Sequence, residues 1–307
     1  MMRMRSISVA ALAVFLSCIL GGAAIGAPAP GNTPPSQVAQ PRSACGGPQR
    51  TASGLYVPRG LDGEVVTIAM TDGYKLAGDF IRRMKPATTT PGLIFLHEAG
   101  SGRRVWNPIA VQMAGRGYSV LTVDLRKHGE NPTMIGNPPT SSTELTPEQW
   151  AGMVEDVHDI VSFMAMRGDV DAGNVAIVGS GFGATLALKA AAEPWGEAIR
   201  CVITINPKVE ARGVKLDSGL AAIGRKRPVY IATTSSGTTA WMEAKAVAAL
   251  LPAVKVFQES PLLAAAPNAM CASVFRSIPA WLIESLPPIS NRPGRAKIVT
   301  PRAADRR

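Results

Sequence analysis

The chain contains 307 residues, 46% of them hydrophobic, which is enough apolar material for a globular core in one large or two small domains. Its formal net charge is +10, but the excess lies at the two ends, since residues 287–307 contain six basic side chains against one acid and Arg3 and Arg5 open the chain. The remainder is weakly basic and has no Lys/Arg stripe interleaved with aromatic residues, which excludes nucleic-acid binding as the main function.

The N-terminus has the organisation of an export signal. Two arginines precede an apolar run over 7–20, and small residues follow over 21–29, where a signal peptidase could cut. An uncleaved membrane anchor is the alternative, but the run is shorter than the roughly 20 residues that a span needs. We expect residues 1–27 to be a signal peptide and the protein to be periplasmic or extracellular. Cys18 faintly resembles the cysteine of a lipoprotein box, so lipid attachment is a lesser alternative.

Composition divides the rest of the chain into three parts. Residues 28–48 are rich in Pro, Gly, Ser and Gln, and we expect a flexible leader over 28–62. Apolar periodicity predicts a folded domain over 63–286. The basic end, 287–307, is expected to be a disordered tail.

The folded domain opens with a hairpin pattern. Residues 65–70 and 74–81 alternate apolar and polar side chains around Thr71-Asp72-Gly73, with glycine at the turn. Further strands are predicted at 93–96, 118–123, 175–178, 202–205, 229–232 and 253–257, and helices at 105–113, from Pro147 to about 164, at 184–192, 240–251 and 272–286. This alternation predicts an α/β protein with a doubly wound, mostly parallel eight-stranded sheet.

Three cysteines would remain after export, in a compartment that allows disulfides. Cys201 begins an apolar run and is expected in a buried strand. If a disulfide forms, we therefore expect it between Cys45 and Cys271. The wide spacing of the cysteines does not indicate a metal site, and no metal or cofactor is expected.

One strand–turn–helix is specific enough to suggest a family. The strand at 175–178 runs into Gly179-Ser180-Gly181-Phe182-Gly183 and then a helix. This segment resembles the nucleophile elbow of α/β-hydrolases, Gly-x-Ser-x-Gly, in which small flanking residues let strand and helix approach. Gly179 and Gly183 are the two flanks, and the residue midway between them is Gly181. Ser180 would be flanked by bulky Val178 and Phe182.

Two more segments are similar to the same family. His97-Glu98-Ala99-Gly100 follows a strand and is similar to the His-Gly-type loop that supplies one amide of the oxyanion hole. Residues 124–131 are similar to the family's Asp-x-Arg-Gly-x-Gly-x-Ser segment and depart from it at Lys127 and Asn131. The resemblance runs from about 64 to 286 and is strongest to uncapped members such as dienelactone hydrolases and small esterases. It implies an α/β-hydrolase fold with a cleft at His97, Glu98, Ala99 and Phe182.

The resemblance also implies that the catalytic triad is degenerate. The family's acid follows the strand at 229–232, where Thr238 is the aligned residue, and its base follows the last strand, where Ala266 is nearest. The family's chain order is nucleophile, acid, histidine, yet all three histidines (His97, His128 and His158) precede Gly181. Loss of a whole triad costs on the order of 10⁶ in turnover.

Three functions remain open from the sequence. The leading hypothesis is an exported pseudo-hydrolase that binds a small molecule or peptide in the former substrate cleft. The alternative is an active, esterase-like serine hydrolase with a displaced nucleophile, Ser180 activated by His97 or His128. A third possibility is an envelope protein that binds through its basic tail. Membrane contact is expected only through an uncleaved signal or that tail.

Overall fold

The computed structural model describes residues 48–52, 54–84, 89–131, 145–221, 223, 227–233, 237–251, 256–259 and 285. The strands within these residues are β1 Gln49–Arg50, β2 Tyr56–Val57, β3 Leu61–Ala69, β4 Lys75–Arg83, β5 Thr90–Leu96, β6 Ser119–Val123, β7 Val170–Ser180, β8 Ile199–Ile205, β9 Glu210–Ala211, β10 Val214–Lys215, β11 Val229–Thr233 and β12 Val256–Glu259. The α-helices are α1 Asn107–Gly115, α2 Pro147–Ala165, α3 Phe182–Ala192 and α4 Thr239–Leu250, and a 3₁₀ helix spans Arg103–Trp106.

Eight of these strands form one sheet in the order β12-β11-β8-β7-β5-β6-β4-β3. β4 pairs antiparallel with both β3 and β6, and the other pairings are parallel. Among the described strands of this sheet, β4 alone therefore runs against the rest. The predicted α/β class and the mostly parallel, eight-stranded sheet are confirmed. The opening hairpin is also confirmed, with strands longer than predicted.

Helices cover both faces of the sheet because both faces are apolar. On β5, Leu93 and Phe95 pack in the cluster that contains α1, while Ile94 and Leu96 pack in the cluster that contains α2, α3 and α4. Alternate side chains of a strand point to opposite faces, so a continuous apolar run such as Leu93 to Leu96 supplies both clusters. Helices therefore cover both faces of the sheet. The carboxyl ends of the parallel strands are where ligands bind in sheets of this kind.

The folded part begins earlier than the expected boundary at 63. β1 and β2 form an antiparallel ribbon within the expected leader, and β3 starts at Leu61. Val57 is fully buried and Leu61 is 6% exposed, so both belong to the core. The described residues 49–52 and 54–62 are thus ordered, contrary to the flexible leader expected over 28–62. Gly54, Pro58 and Gly60 lie in the connections between these short strands.

Several predictions fall on residues that the structure does not describe. These are the signal peptide at 1–27, Cys18, Cys45, Ala266, Cys271, the tail at 287–307 and the helix at 272–286, apart from Ser285, which is helical. Among the described helices, none is both long and apolar enough to cross a membrane.

Candidate functional site

The predicted elbow is formed where β7 passes into α3. Gly181 joins them with φ 51° and ψ −112°, in the left-handed region that side chains disfavour. A Cβ at Gly183 would lie 2.6 Å from the carbonyl oxygen of His97, so only glycine allows α3 to approach the end of β5 this closely. The residue midway between the two flanking glycines therefore has a positive φ.

The carboxylate of Glu98 occupies the space into which a side chain at position 181 would project. A Cβ added to Gly181 would fall on Oε2 of Glu98 and lie 2.9 Å from Oε1. The Phe182 N–H donates to Glu98 Oε2 at 3.0 Å, and the Ala99 N–H donates to Oε1 at 3.2 Å. In an α/β-hydrolase, the amide after the nucleophile and an amide of the preceding loop form the oxyanion hole. Here the corresponding amides both bind a carboxylate of the same chain.

His97 braces two loops with its two ring nitrogens. Nδ1 lies 2.8 Å from the Glu98 carbonyl oxygen, and the Leu125 N–H donates to Nε2 at 2.9 Å. Since Nε2 accepts, the proton is assigned to Nδ1. The ring is fully buried, and this burial lowers the pKa of His97 to about 4 because it disfavours the imidazolium. His97 is therefore a neutral structural residue at neutral pH.

His128 is engaged in the same way. The Gly100 N–H donates to its Nε2 at 3.0 Å, and Nδ1 lies 2.8 Å from the Arg126 carbonyl oxygen. The rings of His97 and His128 have centroids 5.1 Å apart. His158 belongs to α2 and packs instead on Trp195, with ring centroids 4.9 Å apart. The structure thus brings two of the three histidines together beside the elbow, with backbone partners on their ring nitrogens.

The remaining candidate positions have different surroundings. Ser180 is the last residue of β7 and is only 4% exposed. Thr238 is the N-cap of α4, where its hydroxyl accepts from the Trp241 N–H at 3.1 Å. The residue aligned with the family's acid therefore has a structural task in this chain.

Aromatic side chains from α2 and α3 lie against each other beside Glu98. The rings of Trp150 and Phe182 meet edge to face with centroids 4.8 Å apart, and His128 lies 5.8 Å from Trp150. The Arg212 guanidinium lies over the Trp150 ring at 5.4 Å. The sequence predicted only that Trp150 lies in the helix from Pro147 to about 164, and it did not identify Arg212. No local signal connects these positions, since they meet only through tertiary packing.

The segment after β6 is a second buried centre that sequence reasoning identified only in part. Asp124, which is 1% exposed, accepts from the Arg103 N–H at 2.7 Å and from the Glu130 N–H at 3.0 Å. The Arg103 side chain binds three carboxylates: Nε donates to Asp79 at 2.9 Å, Nη2 to Glu130 at 2.6 Å, and Nη1 to Asp124. Arg103 is 2% exposed, and the motif gave no indication of its role.

The two departures from the family's pattern in this segment have structural consequences. Lys127 adopts φ 60°, a left-handed conformation where the family's segment has glycine. The buried Asn131 amide accepts from the Ala77 N–H at 2.6 Å and donates to the carbonyl oxygens of Asp124 and Leu125, both at 2.8 Å. Asn131 therefore joins β4 to the end of β6.

The described residues contain no group of three or more His, Cys, Asp or Glu side chains that could hold a metal ion. Cys201 is a free thiol in β8 and fully buried, as predicted. Burial raises the pKa of its thiol to about 12, so it is not a reactive thiolate at neutral pH.

Comparisons with known proteins agree with this fold. The sequence model of the alpha/beta hydrolase family matches residues 93–306. A dienelactone hydrolase from Anabaena variabilis has a similar structure, with TM-score 0.58 and 17% identity over 74% of this chain and 100% of that one. An esterase from Pyrococcus furiosus has TM-score 0.52 and 17% identity over 74% of this chain and 93% of the esterase. No curated protein sequence matches the chain.

The match to the family model covers well over half of the chain. The chain belongs to the alpha/beta hydrolase family.

Proposed function

We propose that this protein is an exported, non-catalytic member of the family, which binds a small molecule or peptide in its former substrate cleft. The observation that most favours the proposal is the position of the Glu98 carboxylate. It occupies the space of a nucleophile at Gly181 and accepts from the Phe182 amide that an oxyanion hole would use. To bind in the oxyanion hole, a substrate carbonyl would have to displace the Glu98 carboxyl group from the Phe182 and Ala99 amides.

The sequence and the histidine contacts support the same proposal. The elbow residue has no side chain, and no histidine follows it in the chain. The ring nitrogens of His97 and His128 are bound to backbone groups, which argues against either ring as the base for a serine nucleophile. What remains of the usual catalysis would be binding assistance alone.

The cleft offers a ligand a different chemistry from that of a hydrolase. An oxyanion hole donates hydrogen bonds, whereas Glu98 presents acceptor oxygens and remains partly exposed. Trp150, which is partly exposed and packs on the buried Phe182 ring, adds aromatic surface to this region. We therefore propose a ligand that donates N–H or O–H groups to Glu98.

A fluorophosphonate probe on the purified mature protein tests the loss of catalysis. We expect no labelled serine and no hydrolysis of p-nitrophenyl acetate above the buffer rate, because Gly181 has no side chain and the ring nitrogens of His97 and His128 are bound to backbone groups. A Ser180→Ala variant is the matched control, and an active serine hydrolase verifies the probe. Labelling of the wild type that disappears in Ser180→Ala would establish the displaced-nucleophile hydrolase instead.

Export is part of the proposal and has its own test. The basic start, the apolar run over 7–20 and the small residues after it support signal cleavage. N-terminal sequencing of protein from the cell envelope or medium should find a first residue between Ala24 and Pro30. An intact Met1 on envelope protein would instead establish an uncleaved anchor.

A further inference from the structure

A cavity of about 700 Å³ lies beside the ribbon of β1 and β2, and none of its lining residues belongs to the elbow. Its walls come from the ribbon, from β3 and β4, and from the 3₁₀ helix Arg103–Trp106 with the start of α1. This volume is in the range of pockets that hold small organic ligands.

The charged lining consists of three guanidinium groups and two carboxylates. Arg103 is 2% exposed, and each of its three side-chain nitrogens binds a carboxylate. Arg104 is different: its side chain is 73% exposed and bonds to Glu130 through Nη2. Arg50 is exposed, and no ion pair is recorded for it among the described residues. Two guanidinium groups thus retain donors for an anion.

Apolar surface accompanies these arginines. Tyr56 is 68% exposed and Val65 is 46% exposed, and both line the cavity. Arg50 and Tyr56 are paired across the β1–β2 ribbon, so their side chains leave the same face of it. Exposed large apolar side chains at a pocket rim are typical of a binding site.

We propose that this cavity binds a small organic carboxylate with an apolar body. The carboxylate contacts Arg50 and Arg104, whose planar donor groups match its geometry. The apolar body lies against Tyr56 and Val65. Arg103 contributes rigidity to the lining, because its buried side chain is held by Asp79, Asp124 and Glu130.

The test uses benzoate, 2-naphthoate and decanoate as probes, each beside its neutral amide, in calorimetric titrations of the purified protein. We expect at least one carboxylate to bind saturably, and about tenfold more tightly than its amide. Arg50→Gln and Arg104→Gln should each weaken that binding about tenfold, and Tyr56→Ala should weaken it as well. Arg200→Gln removes an exposed charge on β8 and is the matched control, with unchanged affinity.

Three results would overturn the proposal. They are the absence of saturable binding by any probe, equal affinity for acid and amide, and unchanged affinity in both arginine variants with native circular dichroism spectra. Inorganic phosphate is titrated separately. If it binds as tightly as the best carboxylate, the apolar body contributes nothing and the assigned ligand class is wrong.

Discussion

At the scale of single residues, Gly181 and Glu98 depend on each other. The carboxylate can bind the Phe182 amide only because position 181 has no Cβ, and the glycine conformation has φ 51°. Where the family's loop has a His-Gly pair, this chain has His97 followed by Glu98. The family's pattern has a side chain at the elbow and glycine after the loop histidine. This chain has glycine at the elbow, Gly181, and a long side chain after the histidine, Glu98.

Gly181→Ala should lower the free energy of unfolding by about 2 to 4 kcal/mol, because it combines left-handed strain with displacement of a bound carboxylate. Adding Glu98→Ala should restore part of that loss, and urea unfolding of the single and double variants measures the coupling. Gly152→Ala is the control, since position 152 is an exposed position of α2 and a Cβ there meets nothing within 4 Å. Additive effects of the two changes would show that Glu98 does not fill this space.

The same contact bears on any attempt to restore catalysis. Gly181→Ser combined with Thr238→Asp and Ala266→His should give no ester hydrolysis until Glu98→Gly frees the two amides.

A residue-scale pH effect is expected from His97. Its folded pKa of about 4 lies below its ordinary value of about 6.5, so the unfolded chain takes up the proton first as the pH falls. Stability that is present above pH 6.5 should be lost as the pH falls towards 4, by about 3 kcal/mol in all. The protonated ring could no longer accept from the Leu125 N–H.

Urea unfolding of the wild type and of His97→Gln at several pH values between 4 and 7 measures this effect. The variant should show a flatter dependence on pH in this window. Parallel curves for the two proteins would assign the acid sensitivity to other groups.

At the scale of elements, capping residues decide where helices begin. Thr146 and Gln149 form a reciprocal capping box at the start of α2, and Thr238 caps α4. Threonine at an N-cap accepts from a backbone N–H that has no partner within the helix. Thr238, the residue aligned with the family's catalytic acid, thus has a local structural role as a helix cap.

Thr238→Ala should cost about 1 kcal/mol of stability, because the Trp241 N–H loses its acceptor. Thr238→Asp should be nearly neutral, since aspartate is an equally good N-cap. The free energies of unfolding of both variants are compared with that of Thr239→Ala, an exposed neighbour. A loss in Thr238→Asp as large as in Thr238→Ala would contradict the capping role.

At the scale of the whole molecule, the Arg103 network joins parts that are distant along the chain. Asp79 lies on β4, Asp124 follows β6, and Glu130 belongs to the loop beyond it. Burial raises the pKa of Asp79, while its contacts with Arg103 oppose that shift. The network fixes the 3₁₀ helix after β5 against the end of β6. Three of its members, Asp79, Arg103 and Glu130, also line the proposed carboxylate pocket.

Arg103→Met should lower stability by about 3 to 5 kcal/mol, because it leaves buried carboxylates without their partner. Arg103→Lys should recover little of this, since an ammonium cannot match three carboxylates in the plane of a guanidinium. Thermal and urea unfolding measure both variants, with the exposed Arg104→Gln as the control, expected within about 0.5 kcal/mol of the wild type. A small effect in Arg103→Met would show that the network contributes little net stability.

Much of the architecture follows from local patterns. The alternation at 65–70 and 74–81 specifies a hairpin around Gly73, and the apolar run at 175–178 before Gly179 specifies a buried strand entering a turn. The elbow was predictable for a steric reason, because closely packed strand and helix need glycine on both sides. The start of the domain was misplaced, since the Gly and Pro of an ordered ribbon have the composition of a linker.

The sequence by itself determined the α/β class, the position of the elbow at Gly181 and the order of the histidines, because periodicity, glycine spacing and chain order are local properties. Only the tertiary structure placed the Glu98 carboxylate on the Phe182 amide, 84 positions away, and brought Arg103 among three carboxylates. Such contacts depend on which strand ends meet at one edge of the sheet. The order of the strands in the sheet depends on how all of them pack together, so it cannot be predicted from any single segment.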